Sequence, residues 1–226
     1  MMKKHILTVF AVALLAVSSV GQGPTWTQIT TSNSPSARTN HAMVYDSVRG
    51  KVVLFGGNDS QPGHLNDTWE YDGVSWTQVT TASSPSARYT HAMAYDSVRG
   101  KVVMFGGFAP GSGSANDTWE YDGVNWTQVT TASSPSGREA HAMAYDSVRQ
   151  KVVLFGGYSS PNVNDTWEYD GVNWTQVATA NSSPSPRNGH AMVYDSTQGK
   201  VVMFGGTAPG GCVNDTWEDD GVNWTQ

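Results

Sequence analysis

A unit of about fifty residues recurs along almost the whole chain, and it constrains the fold more than any other feature. One copy, from Trp76 to Gly123, is WTQVTTASSPSARYTHAMAYDSVRGKVVMFGGFAPGSGSANDTWEYDG. The tryptophan of its opening WTQ recurs at Trp26, Trp76, Trp126, Trp174 and Trp224. The FGG triplet begins at Phe55, Phe105, Phe155 and Phe204. Such a period indicates a repeat protein, in which each unit buries its apolar surface against its neighbours.

Each copy contains four segments with the pattern of a β-strand. His91–Tyr95 alternates large and small side chains, as a strand with two different faces does. Lys101–Phe105 is an apolar, β-branched run, which predicts a strand covered on both faces. Thr118–Tyr121 and Asn125–Val129 are the third and fourth strands, and each carries a tryptophan. No segment has a helical period long enough to compete, so the chain is predicted to be all-β.

The connections between these segments predict an antiparallel sheet in each copy. Ser97–Gly100 is a four-residue hairpin loop, and Asp122-Gly123 is typical of a tight hairpin because glycine tolerates positive φ. The Ser- and Pro-rich stretch Thr130–Gly137 cannot continue a central strand and links one copy to the next. Four antiparallel strands repeated in this way predict a β-propeller blade. A linear β-solenoid is the alternative.

The strand that ends in a double glycine, followed by Asn-Asp, an aromatic pair and a spaced tryptophan, resembles the kelch repeat. The resemblance covers residues 24–226. It implies an all-β, kelch-type β-propeller with four four-stranded antiparallel blades in this chain. It also implies that the first strand of each blade is innermost, beside a central channel, and the fourth outermost. The propeller domain is predicted to span residues 22–226, with blades at about 36–80, 86–130, 136–178 and 185–226.

The number of strands does not fit a closed ring. The WTQ segment occurs five times but every other strand only four times, and Pro24–Thr31 supplies the additional outer-strand segment. Known kelch propellers usually have more than four blades. We therefore expect an incomplete ring, part of a longer array, whose exposed flanks favour self-association. A closed ring of four blades is the alternative.

The N-terminus has the layout of a secretory signal peptide. Met1–His5 is basic, Ile6–Val17 is largely apolar, and Ser18–Gly23 is small and polar. We predict a signal peptide over residues 1–21, with cleavage before Gln22; an uncleaved anchor is the alternative. The apolar run is short for a bilayer, so no membrane span is expected in the mature chain. The predicted location is secreted, periplasmic or at the cell surface.

Composition excludes several classes of function. The formal net charge is −6 and there is no basic patch, so no nucleic-acid partner is predicted. The single cysteine, Cys212, cannot form an intrachain disulfide. Galactose oxidase is a kelch-type propeller with a copper site that uses a Tyr cross-linked to Cys, but no residue set here matches those copper ligands. We predict a free thiol, no cofactor and no metal site.

The copies differ from one another mainly on one face. The loop SVRG and the turn DGV, which share one face, are nearly invariant, whereas the loops between the second and third strands vary in sequence and length. The pair of residues after the repeated link arginine also changes in each copy. Binding residues commonly lie on variable loops held by a rigid scaffold. The predicted ligand-binding residues are Arg38, Asn40, Asp59, His64, Arg88, Tyr89, Arg138, Glu139, Tyr158, Arg187 and Asn188.

The repeated link arginines have two possible roles. Each link arginine either binds a ligand carboxylate or pairs with a carboxylate or backbone carbonyl of its own blade.

The whole chain is predicted to be a secreted binding or interaction module with a protein or glycan ligand. A carbohydrate-active enzyme of the sugar oxidase or mutarotase type and a purely structural surface array are the other readings of the same residues. No Ser/His/Asp arrangement, phosphate loop or isolated carboxylate pair predicts catalysis.

Overall fold

A computed structural model describes residues 26–60, 63–178 and 183–226. The chain divides into two units, residues 1–30 and residues 31–226. The predicted signal peptide, residues 1–21, lies outside the described residues. In the first unit, residues 26–30 form no strand and Trp26 is fully exposed. The prediction of an additional outer strand at Pro24–Thr31 is therefore wrong for its described part. The reason is that each third strand already pairs with the WTQ segment that follows it.

The second unit contains four four-stranded antiparallel sheets, which confirms the predicted all-β blades. The strands of the first two blades are β1 (Ala42–Asp46), β2 (Lys51–Asn58), β3 (His64–Tyr71), β4 (Trp76–Val79), β5 (Ala92–Asp96), β6 (Lys101–Phe105), β7 (Phe108–Ala109), β8 (Gly113–Ser114), β9 (Thr118–Tyr121) and β10 (Trp126–Val129). Those of the last two are β11 (Ala142–Asp146), β12 (Lys151–Phe155), β13 (Thr166–Tyr169), β14 (Trp174–Val177), β15 (Ala191–Asp195), β16 (Lys200–Phe204), β17 (Thr207–Ala208), β18 (Gly211–Cys212), β19 (Thr216–Asp219) and β20 (Trp224–Thr225).

Strand order in each blade follows the sequence, and the first strands of successive blades contact one another. β1 contacts β5, β5 contacts β11, and β11 contacts β15, so the first strand is innermost as the resemblance implies. The register places Met93 opposite Met104, and Met104 opposite Trp119.

Two connections within the blades differ from the sequence-based expectation. The turn between β9 and β10 spans four residues, with Asp122 accepting backbone N–H bonds from Val124 and Asn125 at 2.9 and 2.8 Å. The predicted loop at residues 108–115 contains the short ribbon β7–β8.

Each blade has two apolar faces that pack against different neighbours. We call the face that carries Val53 and Phe55 in blade 1 the forward face, and the face that carries Met93 and Trp126 in blade 2 the rear face. The forward face of each blade packs on the rear face of the next, which produces three apolar clusters between the four blades. Phe55 meets the ring of Trp126 edge-on at 5.2 Å between centroids. Stability therefore comes from contacts between blades as well as within them.

Buried polar bonds join neighbouring blades at the same repeat positions. The Trp126 indole N–H donates to Thr68 Oγ1 at 2.9 Å, and the corresponding bonds of Trp174 and Trp224 have the same length. The Tyr121 hydroxyl donates to Glu70 Oε1 at 2.9 Å. These bonds satisfy the polar atoms of the large aromatic side chains that fill each junction. They fix how one blade is placed on the next.

The two terminal blades each leave one face partly exposed. On the rear face of blade 1, Met43 is 52% exposed, whereas Met93 and Met143 at the same repeat position are 7% exposed. On the forward face of blade 4, Phe204 is 55% exposed, whereas Phe55, Phe105 and Phe155 are fully buried. The described residues thus form an open series of four blades.

Candidate functional site

The four link arginines lie inside the fold. Arg138 is fully buried, and its two Nη atoms donate to the two carboxylate oxygens of Asp165 at 2.6 and 2.9 Å. Arg138 Nη1 also donates to the carbonyl of Gly156 at 3.0 Å. Burial alone would raise the pKa of Asp165, but hydrogen bonds from Arg138 and Trp167 hold it below its ordinary value. The same pairing recurs as Arg38–Asp67, Arg88–Asp117 and Arg187–Asp215.

This geometry corrects the prediction that Arg38, Arg88, Arg138 and Arg187 bind a ligand. A guanidinium donates through a planar fork, and in each blade that fork is occupied by a carboxylate and a backbone carbonyl. Each link arginine therefore pairs within its own blade, which is the second of the two alternatives. These four residues leave the set of candidate ligand residues.

The remaining candidates lie on the variable face, which is formed by the links between blades and by the loops between the second and third strands. In every blade, the residue after the link arginine pairs through its backbone with the first residue of that loop. These bridges are Thr39–Asn58, Tyr89–Phe108, Glu139–Tyr158 and Asn188–Thr207. The two most variable positions of each repeat are thus side by side. The sequence does not show this, because the two positions lie about twenty residues apart and only the register joins them.

The next link residue connects one blade to another. Thr90 N–H donates to Asn40 O at 2.9 Å, Ala140 N–H to Thr90 O at 2.8 Å, and Gly189 N–H to Ala140 O at 2.8 Å. Asn40, Thr90 and Ala140 have φ values of 55°, 54° and 52°, the left-handed region that favours glycine. The backbone at the edge of the variable face is held by this chain of bonds, which makes it a rigid support for the side chains around it.

Aromatic side chains join the first two blades on this face. The His64 and Tyr89 rings stack with centroids 5.3 Å apart, and Tyr89 also contacts Phe108 at 5.4 Å. His64 and Tyr89 were both predicted site residues, and the structure brings them together. Phe108 was not predicted, although it opens one of the variable loops.

An open depression of about 490 Å³ lies between blades 3 and 4. Tyr158, which is 43% exposed, and Asn188 line it. Asn188 Nδ2 donates to Asn162 Oδ1 at 2.8 Å, and this bond fixes one wall. The rest of the lining comes from Pro161, Asn162, Pro186, Ala208 and Pro209. Sequence reasoning missed the three prolines, because each lies on a different segment and only the fold brings them together.

The two acidic candidates lie on different blades of the variable face. Glu139 accepts a hydrogen bond from Thr90 Oγ1 at 3.0 Å, so its carboxylate lies beside the link that precedes blade 2. Its backbone pairs with Tyr158, which lines the depression. Asp59 accepts bonds from Ser36 Oγ at 3.2 Å and from the Gly63 N–H at 3.0 Å. Asn40 is exposed on the first link.

Comparison with known protein families agrees with this architecture. The model of the KLHDC2/KLHL20/DRC7 Kelch-repeats domain matches residues 22–170 and 123–226. The chain belongs to the Kelch-repeat family. A search of curated proteins gave no match. Family membership identifies this Kelch-repeat domain as a protein-interaction propeller, and it confirms the resemblance drawn from the double glycine, the Asn-Asp pair and the aromatic residues that follow. The described parts of the chain include no helix that is long and apolar enough to cross a membrane.

Three of the four histidines that precede the inner strands, those of blades 2 to 4, are buried in the Kelch-repeat domain. His91 meets Phe55 edge-on at 5.6 Å, and His141 and His190 meet Phe105 and Phe155 in the same way. Burial, assisted by the charge of Arg88, lowers the pKa of His91 to about 3. The imidazole is therefore neutral at pH 7. Among the described residues, no three His, Cys, Asp or Glu side chains are grouped closely enough to hold a metal ion.

Asp219 departs from the repeat and buries an unfavourable charge in this Kelch-repeat domain. It replaces the tyrosine found at Tyr121 and Tyr169, and it is 3% exposed. Burial raises the pKa of Asp219 to about 6, and the nearby carboxylate of Glu168 adds to the effect. Because this pKa is above the ordinary 3.8, the folded state holds a proton that the unfolded state has lost. The resulting stability is present at low pH and is lost as the pH rises through about 6.

We expect Asp219→Tyr to stabilise the domain by about 1–3 kcal/mol at pH 8, because it removes the buried charge and restores a phenol donor to Glu168. Urea unfolding at pH 8 and at pH 4.5 measures the change. Asp219→Asn is the matched control: it removes the charge without adding the phenol, and its stabilising effect should be confined to the higher pH. An effect of Asp219→Asn that is equal at the two pH values would contradict the charge explanation.

Proposed function

We propose that the variable face binds a protein partner, with an apolar side chain of that partner seated in the depression between blades 3 and 4. The observation that carries the proposal is the exposed Tyr158 beside a proline-lined depression on an otherwise closely packed scaffold. Exposed aromatic rings next to apolar pockets are common anchors of protein interfaces. The rigid backbone of the links keeps this site formed before a partner binds.

The charge of the variable face selects a basic partner. The loops at residues 58–65, 108–115, 158–163 and 207–213 contain no lysine or arginine. The link arginines are neutralised by their aspartates. Glu139 and Asp59 supply negative charge, and opposite charge on a partner steers association and sets orientation. A segment with one basic and one apolar side chain, spaced to reach Glu139 and the depression, matches this surface.

Two features favour a protein segment over a glycan. The three prolines and Tyr158 make the depression largely apolar, which suits an aliphatic or aromatic side chain. The His64, Tyr89 and Phe108 rings pack on one another, so they are already engaged as a cluster. A glycan remains the competing ligand for the experiment to test.

Selection from a displayed random-peptide library, run beside a glycan array, tests the proposal. We expect enriched peptides to share a basic residue and a large apolar residue. Tyr158→Ala should weaken their binding at least about tenfold, in line with the loss of an interface anchor. Glu139→Gln should weaken it and reduce its salt dependence. Val124→Ala, on an exposed turn of the opposite face, is the matched control and should leave the affinity unchanged.

The outcomes separate the candidate functions. Peptide binding that is insensitive to Tyr158→Ala and Glu139→Gln would contradict the proposed site. Glycan binding that is lost in Tyr158→Ala would move the site to carbohydrate recognition. Turnover of a sugar by the purified protein would favour the enzyme alternative.

We also propose that the protein is exported. The basic, apolar and small-residue segments of the first 23 residues support this location. Expression of the full chain in a bacterium and N-terminal sequencing of the product tests it. We expect the mature protein to begin at Gln22 and to be found outside the cytoplasm; an intact N-terminus on cytoplasmic protein would contradict export.

A further inference from the structure

The three junctions between blades repeat one set of contacts, and each junction has two distinct halves. The forward half of blade 1 supplies the Phe55 ring, the Gly57 N–H and the Leu65 carbonyl. The rear half of blade 2 supplies the Arg88 backbone, which accepts from Gly57 N–H at 2.9 Å and donates to Leu65 O at 3.1 Å. The His91 ring packs against Phe55 beside these bonds. Every junction therefore needs a particular pair of surfaces rather than any two apolar faces.

Blade 4 presents a complete forward half with nothing on it among the described residues. Phe204, Val193 and Ala191 are exposed, and a depression of about 370 Å³ lies over Phe204 and Gly206. At each internal junction, the following blade occupies the position that corresponds to this depression. A Cβ built on Gly156 would meet the Arg187 carbonyl at 2.8 Å, whereas one on Gly205 meets only the Val213 carbonyl, at 3.4 Å.

Blade 1 presents the matching rear half. Met43 and Tyr45 are 52% and 60% exposed, and Trp76 lies where the buried Trp126, Trp174 and Trp224 lie in the later blades. The Tyr71 hydroxyl donates to the carbonyl of Gly73 at 2.9 Å, instead of to a glutamate of a preceding blade as Tyr121 does. Each internal junction contains a hydrogen bond from a tryptophan indole to a threonine hydroxyl. Trp76 and Thr216 occupy the corresponding positions on the two free faces.

We infer that two copies of this chain bind head to tail, with the forward face of blade 4 of one copy seated on the rear face of blade 1 of the other. The occupant follows from the repeat: the two free faces are the two halves of a junction that the chain already makes three times. Contacts of this head-to-tail kind close into a ring or continue as a filament. Two copies joined at both ends would contain eight blades, within the range of about four to eight found in propellers.

One substitution distinguishes the free junction from the internal ones. In the first junction, the Arg49 guanidinium lies over the Tyr121 ring at 5.4 Å, and Arg99 does the same with Tyr169. At this repeat position blade 4 has Gln198, which cannot make the cation–π contact. The junction between copies therefore lacks a contact that the first two internal junctions make, and it is weaker and more reversible than those two. The third internal junction lacks the same contact, because Asp219 takes the place of the tyrosine.

Sedimentation velocity of the full chain over a range of concentrations tests the inference. We expect assemblies of at least two copies, and we expect Phe204→Asp and Met43→Asp each to give monomers by placing a charge on one free face. Val124→Asp, at an exposed turn, is the matched control and should leave the assembly intact. Gln198→Arg should lower the dissociation constant severalfold, because it restores the guanidinium over the Tyr71 ring of the other copy.

Mixing the two monomeric variants gives the sharpest test. Phe204→Asp keeps its rear face and Met43→Asp keeps its forward face, so an equimolar mixture should form a 1:1 pair through the one intact junction. Circular dichroism and melting of each variant establish that it folds. A wild-type chain that stays monomeric at every concentration, or folded variants that fail to pair when mixed, would overturn the inference.

Discussion

Phe155→Ala should lower the free energy of unfolding by about 3–5 kcal/mol, the range found when a buried phenylalanine is truncated. Phe155 is fully buried on the forward face of blade 3. Its ring contacts Trp224 at 5.1 Å and His190 at 5.6 Å, and both of these belong to the next blade or its link. The substitution leaves a cavity at the junction between blades 3 and 4, and urea unfolding measures its cost.

The repeat supplies an internal control for this prediction. Phe204 occupies the same position in blade 4 and is 55% exposed, so Phe204→Ala should cost only about 1 kcal/mol. Both changes should be made in the Met43→Asp background, so that self-association does not cover Phe204. Equal losses of stability in that background would mean that the forward face of blade 4 is covered within a single chain.

The strands could be predicted from the sequence because their patterns are local. Alternation in His91–Tyr95 and the apolar run Lys101–Phe105 placed β5 within one residue and β6 at its observed bounds. The ribbon β7–β8 was missed because Phe108–Ser114 is rich in glycine and lacks an alternating pattern.

The candidate site was predicted only in part, since its geometry depends on pairing across the blade. The variable positions identified Tyr89, Glu139, Tyr158 and Asn188, and all four lie on the variable face. That Glu139 is next to Tyr158, and that three prolines surround a depression, follows from register and from the packing of blades 3 and 4. The role of the arginines was undecided because a repeated charge fits a ligand site and a repeated internal pair equally well.

Arg138→Met should also destabilise the domain by about 3–5 kcal/mol, because it leaves a carboxylate without its buried partner. Arg138 is fully buried and binds Asp165 through two hydrogen bonds, and it donates to the Gly156 carbonyl as well. Asp165→Asn in the same chain removes the uncompensated charge, so the double variant should recover about 1–3 kcal/mol relative to the sum of the single changes. Lys151→Met is the control. Lys151 and Asp170 form a solvent-exposed ion pair with an N–O distance of 3.7 Å, and such a pair should contribute less than about 1 kcal/mol to the free energy of unfolding. Urea unfolding of the four variants gives these values. An Arg138→Met chain that keeps its stability but loses affinity for a partner would return this arginine to the ligand-binding surface.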